Sequence, residues 1–184
     1  MVARRHPLRG RHLGEDASSS TGYHAHTLIE HWLVHPLGLV HLVLALLAVV
    51  FGTLVIGAPK GTPRHRRLGR AYLLAMVGLN GTALAIYELF GRLGPFHCMA
   101  LLSLLTLVAG YLPARTRSTG WMSRHAYFMA GSYVGLIAAL ASEILTRLPG
   151  LSLFTGVLIA SAVVIVVGVW LMLRLIPRIL EKMR

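Results

Sequence analysis

Residues 36–58, PLGLVHLVLALLAVVFGTLVIGA, contain no Lys, Arg, Asp or Glu and are dominated by Leu, Val and Ala. A helix needs about 20 mainly apolar residues to cross the hydrocarbon layer of a bilayer, and this run has that length. Further apolar runs predict four more helices, at roughly 69–90, 95–112, 124–146 and 151–175. The pattern therefore predicts an all-α integral membrane protein with five transmembrane helices and a core made of the first four.

The composition agrees with a membrane protein. The chain has 184 residues, of which 55% are hydrophobic and 13% are charged, and its 18 Lys and Arg outnumber its 6 Asp and Glu. These basic residues lie between the apolar runs and form no stripe on a polar domain, so we expect the lipid bilayer, and no nucleic acid, as partner. The sequence shows no phosphate-binding loop, nucleophilic triad or acid–base carboxylate pair, which leaves open whether the protein is an enzyme.

The apolar runs divide the chain into four parts. Residues 1–22 lack the apolar segment of a signal peptide. They are polar and are expected to be a disordered tail. Residues 23–35 predict a helix that lies in the membrane interface. Residues 36–148 contain the four-helix core, and residues 149–184 contain the fifth transmembrane helix and a basic C-terminus.

Basic residues concentrate on one side of the predicted bundle. The connections after the first and third helices and the C-terminus contain Lys60, Arg64, Arg66, Arg67, Arg70, Arg115, Arg117, Arg124, Arg174, Arg178, Lys182 and Arg184. Near the membrane on the other side lie only Arg92 and Arg147. Because short loops rich in Lys and Arg stay in the cytoplasm, we expect the N-terminus outside and the C-terminus in the cytoplasm.

Four histidines recur near the ends of consecutive predicted helices. In an up-and-down bundle, His41 and His97 lie at the outer level, and His65 and His125 lie at the inner level. Low-spin haem iron takes two imidazoles on opposite faces of the ring, so its ligands come from two facing helices. The two pairs therefore predict haem b at two levels of the membrane and a role as a transmembrane electron carrier, with His41 and His97 as the better-supported pair.

Other residues fit the same hypothesis, and each has a plainer interpretation. Arg66, Arg67 and Arg124 are predicted partners for the haem propionates, because a guanidinium forms paired hydrogen bonds with a carboxylate. Interfacial histidines and arginines also place their polar ends in water without binding anything. Glycines make room for a flat macrocycle, but a GxxxG sequence such as 131–135 equally predicts close packing against a neighbouring helix.

A metal site that contains zinc or copper is a further alternative. In a helix, His31 and His35 are spaced to bind one metal ion, and Glu88 and Glu143 end the second and fourth predicted helices on the same outer side. The plainer interpretation is an amphipathic interfacial helix with histidines in water. The two glutamates are then expected to form ion pairs with the arginine four residues later in each case.

The fifth predicted helix has no histidine and no charge over residues 151–173. Gly156 and Ala160 give it a face of small residues that suits helix packing. This favours a third hypothesis, in which the chain is a non-catalytic accessory subunit of a larger membrane complex and uses this helix to bind its partner.

Three stretches carry a resemblance to known families. They are HPLGLVHLVLALLAVVFGTLVIGAPKGTPRHRRLGRAYLLAM, then PFHCMALLSLLTLVAGY, then RHAYFMAGSYVGLIAALASE, which together fall within residues 35–143. They resemble the bacterial membrane proteins grouped as domain of unknown function 2306. That resemblance implies a multi-pass protein of the bacterial inner membrane and no established activity.

The chain is more loosely similar to the cytochrome b561 family. Proteins of that family bind two b haems in a four-helix core, each between histidines of alternate helices, and pass electrons across the membrane. The similarity implies that His41 would pair with His97, and His65 with His125.

Overall fold

The computed structural model describes residues 36–86, 95–147, 149–150 and 152–183. The predicted tail, the predicted interfacial helix with His31 and His35, and Glu88 lie outside these residues. Every regular element within them is an α-helix, as predicted: α1 (Pro36–Gly57), α2 (Pro63–Ala85), α3 (Pro95–Thr116), α4 (Trp121–Leu145) and α5 (Leu153–Glu181). Contacts divide the chain after Leu39, and the unit Val40–Arg184 contains all of the packing described below.

Four of the five helices are long and apolar enough to cross a membrane. The spans are Pro36–Gly57, His97–Thr116, Trp121–Leu145 and Phe154–Glu181. α2 is less apolar, because its first two turns hold Arg64, Arg66, Arg67 and Arg70 and its middle holds Asn80. The predicted class of integral membrane protein is thereby confirmed.

The core is built where α1 to α4 meet. Its buried residues are Ala48 of α1, four residues of α2, Leu107 of α3 and Leu136 of α4; those of α2 are Tyr72, Ala75, Met76 and Leu79. By contrast, the large exposed apolar side chains lie mainly on α1, α3 and α5. The least apolar helix is therefore the most enclosed one, and the outer helices present apolar side chains to the surroundings, as a bilayer requires.

Helices that follow one another in the sequence run in opposite directions. α1 and α2 are antiparallel, because His41 meets Thr82 at one end and Val55 lies beside Gly69 at the other. α2 and α4 are parallel, since Tyr72 contacts Ser132 and, seven residues earlier in each helix, His65 lies beside His125. α2 and α4 thus begin at the same end of the bundle.

α5 packs along α4 through small residues. The Ser142 and Ser161 hydroxyls are 3.0 Å apart. A Cβ built on Gly168 would lie 2.5 Å from Val134 Cγ1, so only glycine permits this approach. Ala160 is buried and Gly156 lies against Thr146, which confirms the predicted small-residue face of this helix.

Three helix boundaries differ from the prediction in an informative way. α2 begins at Pro63, six residues earlier than predicted, because proline suits the first helical position and the Thr62 hydroxyl accepts a hydrogen bond from the His65 backbone N–H at 3.2 Å. α3 and α5 continue past Pro113 and Pro177 to Thr116 and Glu181. Proline inside a transmembrane helix is tolerated where neighbouring groups satisfy the backbone carbonyl that it leaves unpaired.

Candidate functional site

One end of the bundle carries a dense positive charge. α1, α3 and α5 end there, and α2 and α4 begin there. We call this the basic end. Its described cations are Lys60, Arg64, Arg66, Arg67, Arg70, Arg115, Arg117, Arg124, Arg174, Arg178 and Lys182.

His65 lies in the first turn of α2 and faces into the bundle at the basic end. The earlier start of α2 places it on a helix, whereas the sequence predicted a position just before one. Its side chain is partly buried, and its Nδ1 atom is fully enclosed with no hydrogen-bond partner among the described residues. The Val55 carbonyl lies close to the same imidazole and also accepts a hydrogen bond from Lys60 Nζ at 3.1 Å.

His125 lies in the second turn of α4 and is oriented by α3. Its Nδ1 atom donates to the Gly110 carbonyl, 3.0 Å away. A carbonyl can only accept, so the hydrogen is on Nδ1, and Nε2 carries the free lone pair of the neutral ring. Protein-bound metals commonly use this arrangement, in which a backbone carbonyl fixes the tautomer and direction of the ligating histidine.

The structure brings His65 and His125 together. Their ring centroids are 6.4 Å apart, and the ring planes are inclined at 81° to each other. The two side chains come from α2 and α4, the parallel helices at the centre of the bundle. The sequence predicts that this pair lies at one level of the membrane, and the structure adds that the rings are neighbours.

Lys60 places a further positive charge beside the pair. Its Nζ atom donates to the Val55 carbonyl and, at 2.6 Å, to the Ile56 carbonyl, both in the last turn of α1. The last carbonyls of a helix lack partners in the helix, so the ammonium group satisfies two of them. Burial lowers the pKa of the Lys60 ammonium group below its usual value.

The three arginines predicted to bind haem propionates all lie at the basic end. Arg66 and Arg67 are exposed near the start of α2. Arg124 is already engaged, because its guanidinium donates to the Ser118 hydroxyl at 2.9 Å and to the Thr119 carbonyl. Arg124 therefore stabilises the turn between α3 and α4, whereas the guanidinium groups of Arg66 and Arg67 are exposed.

The other predicted pair lies at the opposite end. His41 Nδ1 is 2.9 Å from the Thr82 hydroxyl, which itself donates to the Leu79 carbonyl at 2.8 Å and therefore accepts from His41. His97 lies in the first turn of α3 and is only 5% exposed. The structure thus links His41 to α2 through Thr82 and buries His97 in the same end of the bundle.

Of the residues predicted for a zinc or copper site, Glu143 is the one that the structure describes. Glu143 is exposed and forms an ion pair with Arg147, four residues later, as predicted. In residues 36–86, 95–147, 149–150 and 152–183, no three His, Cys, Asp or Glu side chains are grouped so as to hold a metal ion. The roles proposed for His31, His35 and Glu88 concern residues that the structure does not describe.

Two hydroxyl pairs in the middle of the bundle were not predicted from the sequence. The Tyr72 hydroxyl lies 2.9 Å from that of Ser132, and the Tyr133 hydroxyl lies 2.7 Å from that of Thr53. The two tyrosine rings are neighbours, with centroids 6.4 Å apart. These pairs link α2 and α1 to α4, and the available signal was a tyrosine in the interior of each of two predicted transmembrane helices.

These features define the class of the protein: an α-helical integral membrane protein whose central helices carry a pair of histidines. A family model described as a predicted membrane protein (DUF2306) matches residues 38–180. Since the match covers most of the chain, the protein belongs to this family, as its three characteristic stretches predicted. No curated protein and no solved structure matches the chain.

Proposed function

We propose that this protein is a haem b-binding transmembrane electron carrier, in which His65 and His125 would hold a haem at the basic end. The observation that carries the proposal is the 6.4 Å separation of their ring centroids. Two imidazoles on opposite sides of one metal, each with its nitrogen about 2 Å from the ion, hold their centroids roughly 6 Å apart.

The state of each imidazole supports ligation. His125 is held by the Gly110 carbonyl through Nδ1, which leaves Nε2 as the donor atom. His65 has a buried ring nitrogen with no hydrogen-bond partner among the described residues, although buried polar atoms normally have one. Both rings therefore have a nitrogen that suits a bond to iron.

The number of ligands favours haem over zinc or copper. A structural zinc ion takes four protein ligands and a catalytic one takes three. Haem iron needs only two from the protein, because the macrocycle supplies the other four. In the described part of the chain the two histidines have no third His, Cys, Asp or Glu beside them in a metal-binding group, which matches the smaller requirement.

The roles of the protein residues follow from this assignment. His65 and His125 would bind the iron, and Gly110 would orient His125. Arg66, Arg67 and Lys60 would offset the negative charge of the propionates, and Arg124 would hold the turn that precedes α4. The haem supplies a centre that gains or loses one electron.

Electron transfer across the membrane requires a second redox centre at the opposite end. The pair His41 and His97 remains the proposed position, with the hydrogen bond between His41 and Thr82 as its orienting contact. If His41 and His97 also hold a haem, the protein binds two haems, and otherwise it binds one.

The cellular setting belongs to the same proposal. The basic end would face the cytoplasm, and the membrane would be the bacterial inner membrane, because basic loops are retained inside. The alternative is an accessory subunit that docks through α5. The exposed apolar side chains of that helix suit lipid as well as a partner, so they do not favour this alternative.

The absorption spectrum tests the proposal. The full chain, expressed with a supply of haem precursor and purified in detergent, should show a Soret band that shifts on reduction by dithionite. His65→Ala and His125→Ala should each lose the band of the basic-end haem, because one imidazole alone leaves the iron without its second axial ligand.

Matched variants separate lost ligation from lost fold. His6→Ala, in the N-terminal tail, should retain the full haem content, and circular dichroism should show unchanged helix content for all variants. His41→Ala should remove half of the haem if two are bound and none if only one is. A colourless wild-type protein, or wild-type spectra from both basic-end variants, would contradict the proposal.

A further inference from the structure

The turn between α3 and α4 contains a strained arginine. Arg117 directly follows the last residue of α3 and has φ of 53°, and it is the only described residue other than glycine with a positive φ. Glycine usually occupies this position after a helix, because an L side chain crowds the backbone there. The haem proposal gives Arg117 no role. The presence of a charged side chain at a positive φ therefore calls for a separate explanation.

The side chain of Arg117 is held in a defined place. Its guanidinium carbon lies 4.4 Å from the centroid of the Trp121 ring, at the start of α4. Stacking of a guanidinium on an aromatic ring leaves its N–H edge available to an anion. The turn beneath it is fixed by the Trp121 N–H, which donates to the Ser118 carbonyl at 2.9 Å, and by Arg124.

A cavity of about 240 Å³ adjoins this stack. Its lining consists of Gly120, Trp121, Met122, Ser123 and Leu180. The cavity lies between the beginning of α4 and the end of α5, at the basic end. It is mainly apolar, and Trp121 joins it to the charge of Arg117.

The electrostatic surroundings favour an anion. The basic end holds the eleven described cations named above, and Glu181 is the one described carboxylate there. Basic residues at the membrane surface attract anionic headgroups, and basic pockets between transmembrane helices bind particular anionic lipids. An apolar cavity beside a fixed guanidinium therefore matches both parts of such a lipid.

We propose that the cavity binds one anionic phospholipid, with its phosphate on Arg117 and its glycerol and upper acyl chain against Trp121, Met122 and Leu180. The apolar lining distinguishes this occupant from a free phosphate ion, which would need polar groups on several sides. Bound lipid would tie the α3–α4 turn to the end of α5. This inference does not depend on haem.

Tryptophan fluorescence tests the site directly. The full chain with Trp32→Phe and Trp170→Phe keeps Trp121 as its one tryptophan. In phosphatidylcholine nanodiscs, brominated phosphatidylglycerol should quench Trp121 at a lower mole fraction than brominated phosphatidylcholine. Arg117→Gly should weaken this preference about fivefold, the effect expected of one basic residue near the surface.

Two further variants make the result specific. Arg117→Gly should leave the midpoint of thermal unfolding unchanged or higher, because glycine relieves the positive φ. Ser123→Leu should also weaken the preference, since it fills the cavity and leaves the charge in place. Arg174→Ala removes a cation from α5 of the same end and should retain the preference.

Three outcomes would overturn the proposal. The first is an unchanged lipid preference in Arg117→Gly. The second is an equal loss in Arg174→Ala, which would indicate diffuse attraction by the whole basic end. The third is reversal of the quenching by millimolar inorganic phosphate, which would assign the cavity to a free anion.

Discussion

At the scale of single residues, three glycines allow the helices of the core to touch. A Cβ built on Gly52 would lie 2.4 Å from Tyr133 Cδ2, and one on Gly110 would lie 2.9 Å from Met129 Sδ. A Cβ on Gly78 would lie 3.1 Å from Leu44. The sequence left open whether glycines make room for a macrocycle or permit close packing, and at these three positions helices pack closely.

Replacement of Gly52 should therefore destabilise the bundle. Gly52→Ala forces a methyl group into Tyr133 and towards Tyr72, and overpacking of this kind costs about 1–3 kcal/mol. Gly81→Ala is the matched control, because nothing lies within 4 Å of a Cβ there. It should be neutral or stabilising by up to about 1 kcal/mol, since alanine favours a helix.

Unfolding by SDS in mixed micelles, followed by circular dichroism, measures both changes. Equal stability of the two variants would show that Tyr133 moves aside at no cost. The close approach at Gly52 would then be unimportant for the fold.

At the scale of helices, local signals explain where α2 begins, and packing explains how α5 is placed. Thr62 provides the cap and Pro63 the first helical residue. The sequence contains this signal, but the start predicted at residue 69 was based on hydropathy alone. The GxxxG sequence at 131–135 was expected to bring a neighbour close. A neighbour, α5, does lie close to this segment: Met172 is 3.8 Å from a Cβ built on Gly131, and the tightest contact places Gly168 of α5 against Val134, whereas nothing lies within 4 Å of a Cβ on Gly135.

Removal of the α2 cap tests how the helix start positions His65. Thr62→Ala leaves the His65 backbone N–H without its acceptor and should cost about 1 kcal/mol of stability. If the haem proposal is correct, the haem content should fall as well, because His65 lies in the first turn. The measurements are the SDS unfolding midpoint and the Soret absorbance per protein.

Thr116→Ala is the control for this change. Its hydroxyl donates to the Leu112 carbonyl at the exposed end of α3 and caps no helix start. It should alter neither measurement. An equal effect of the two variants would indicate that the α2 cap has no special part in placing His65.

At the scale of the whole molecule, the least apolar helix lies at the centre and the apolar side chains face outwards, which is the reverse of a water-soluble protein. The central helix α2 is the least apolar of the five and carries four arginines and Asn80, and α1, α3 and α5 expose Leu, Val and Ile. Lipid tails favour that arrangement, because exposed backbone and polar groups are costly in hydrocarbon. The basic end then lies at one membrane surface.

Cysteine labelling tests which surface this is. In a Cys98→Ser background, which removes the only cysteine, Thr119→Cys places a thiol in the α3–α4 turn and Pro149→Cys places one in the α4–α5 connection. Positive loops are retained in the cytoplasm, so a membrane-impermeant maleimide should label the second variant in intact cells. It should label the first only after the membrane is permeabilised.

Each variant serves as the control for the other, and a permeant maleimide should label both. The opposite labelling pattern would place the basic end outside. The predicted orientation, and with it the direction of any electron transfer, would then be reversed.

The helices and the membrane class follow from the sequence, because a helix in lipid satisfies its own backbone and needs only a local run of apolar residues. The level of each histidine follows from the same counting of residues along helices. The contact between His65 and His125, the approach of Tyr133 to Gly52, and the cavity that Leu180 forms with Trp121 depend on side chains far apart in the chain. Only the packing of the helices decides such contacts, since their energies come from shape and hydrogen bonding between surfaces that no local pattern specifies.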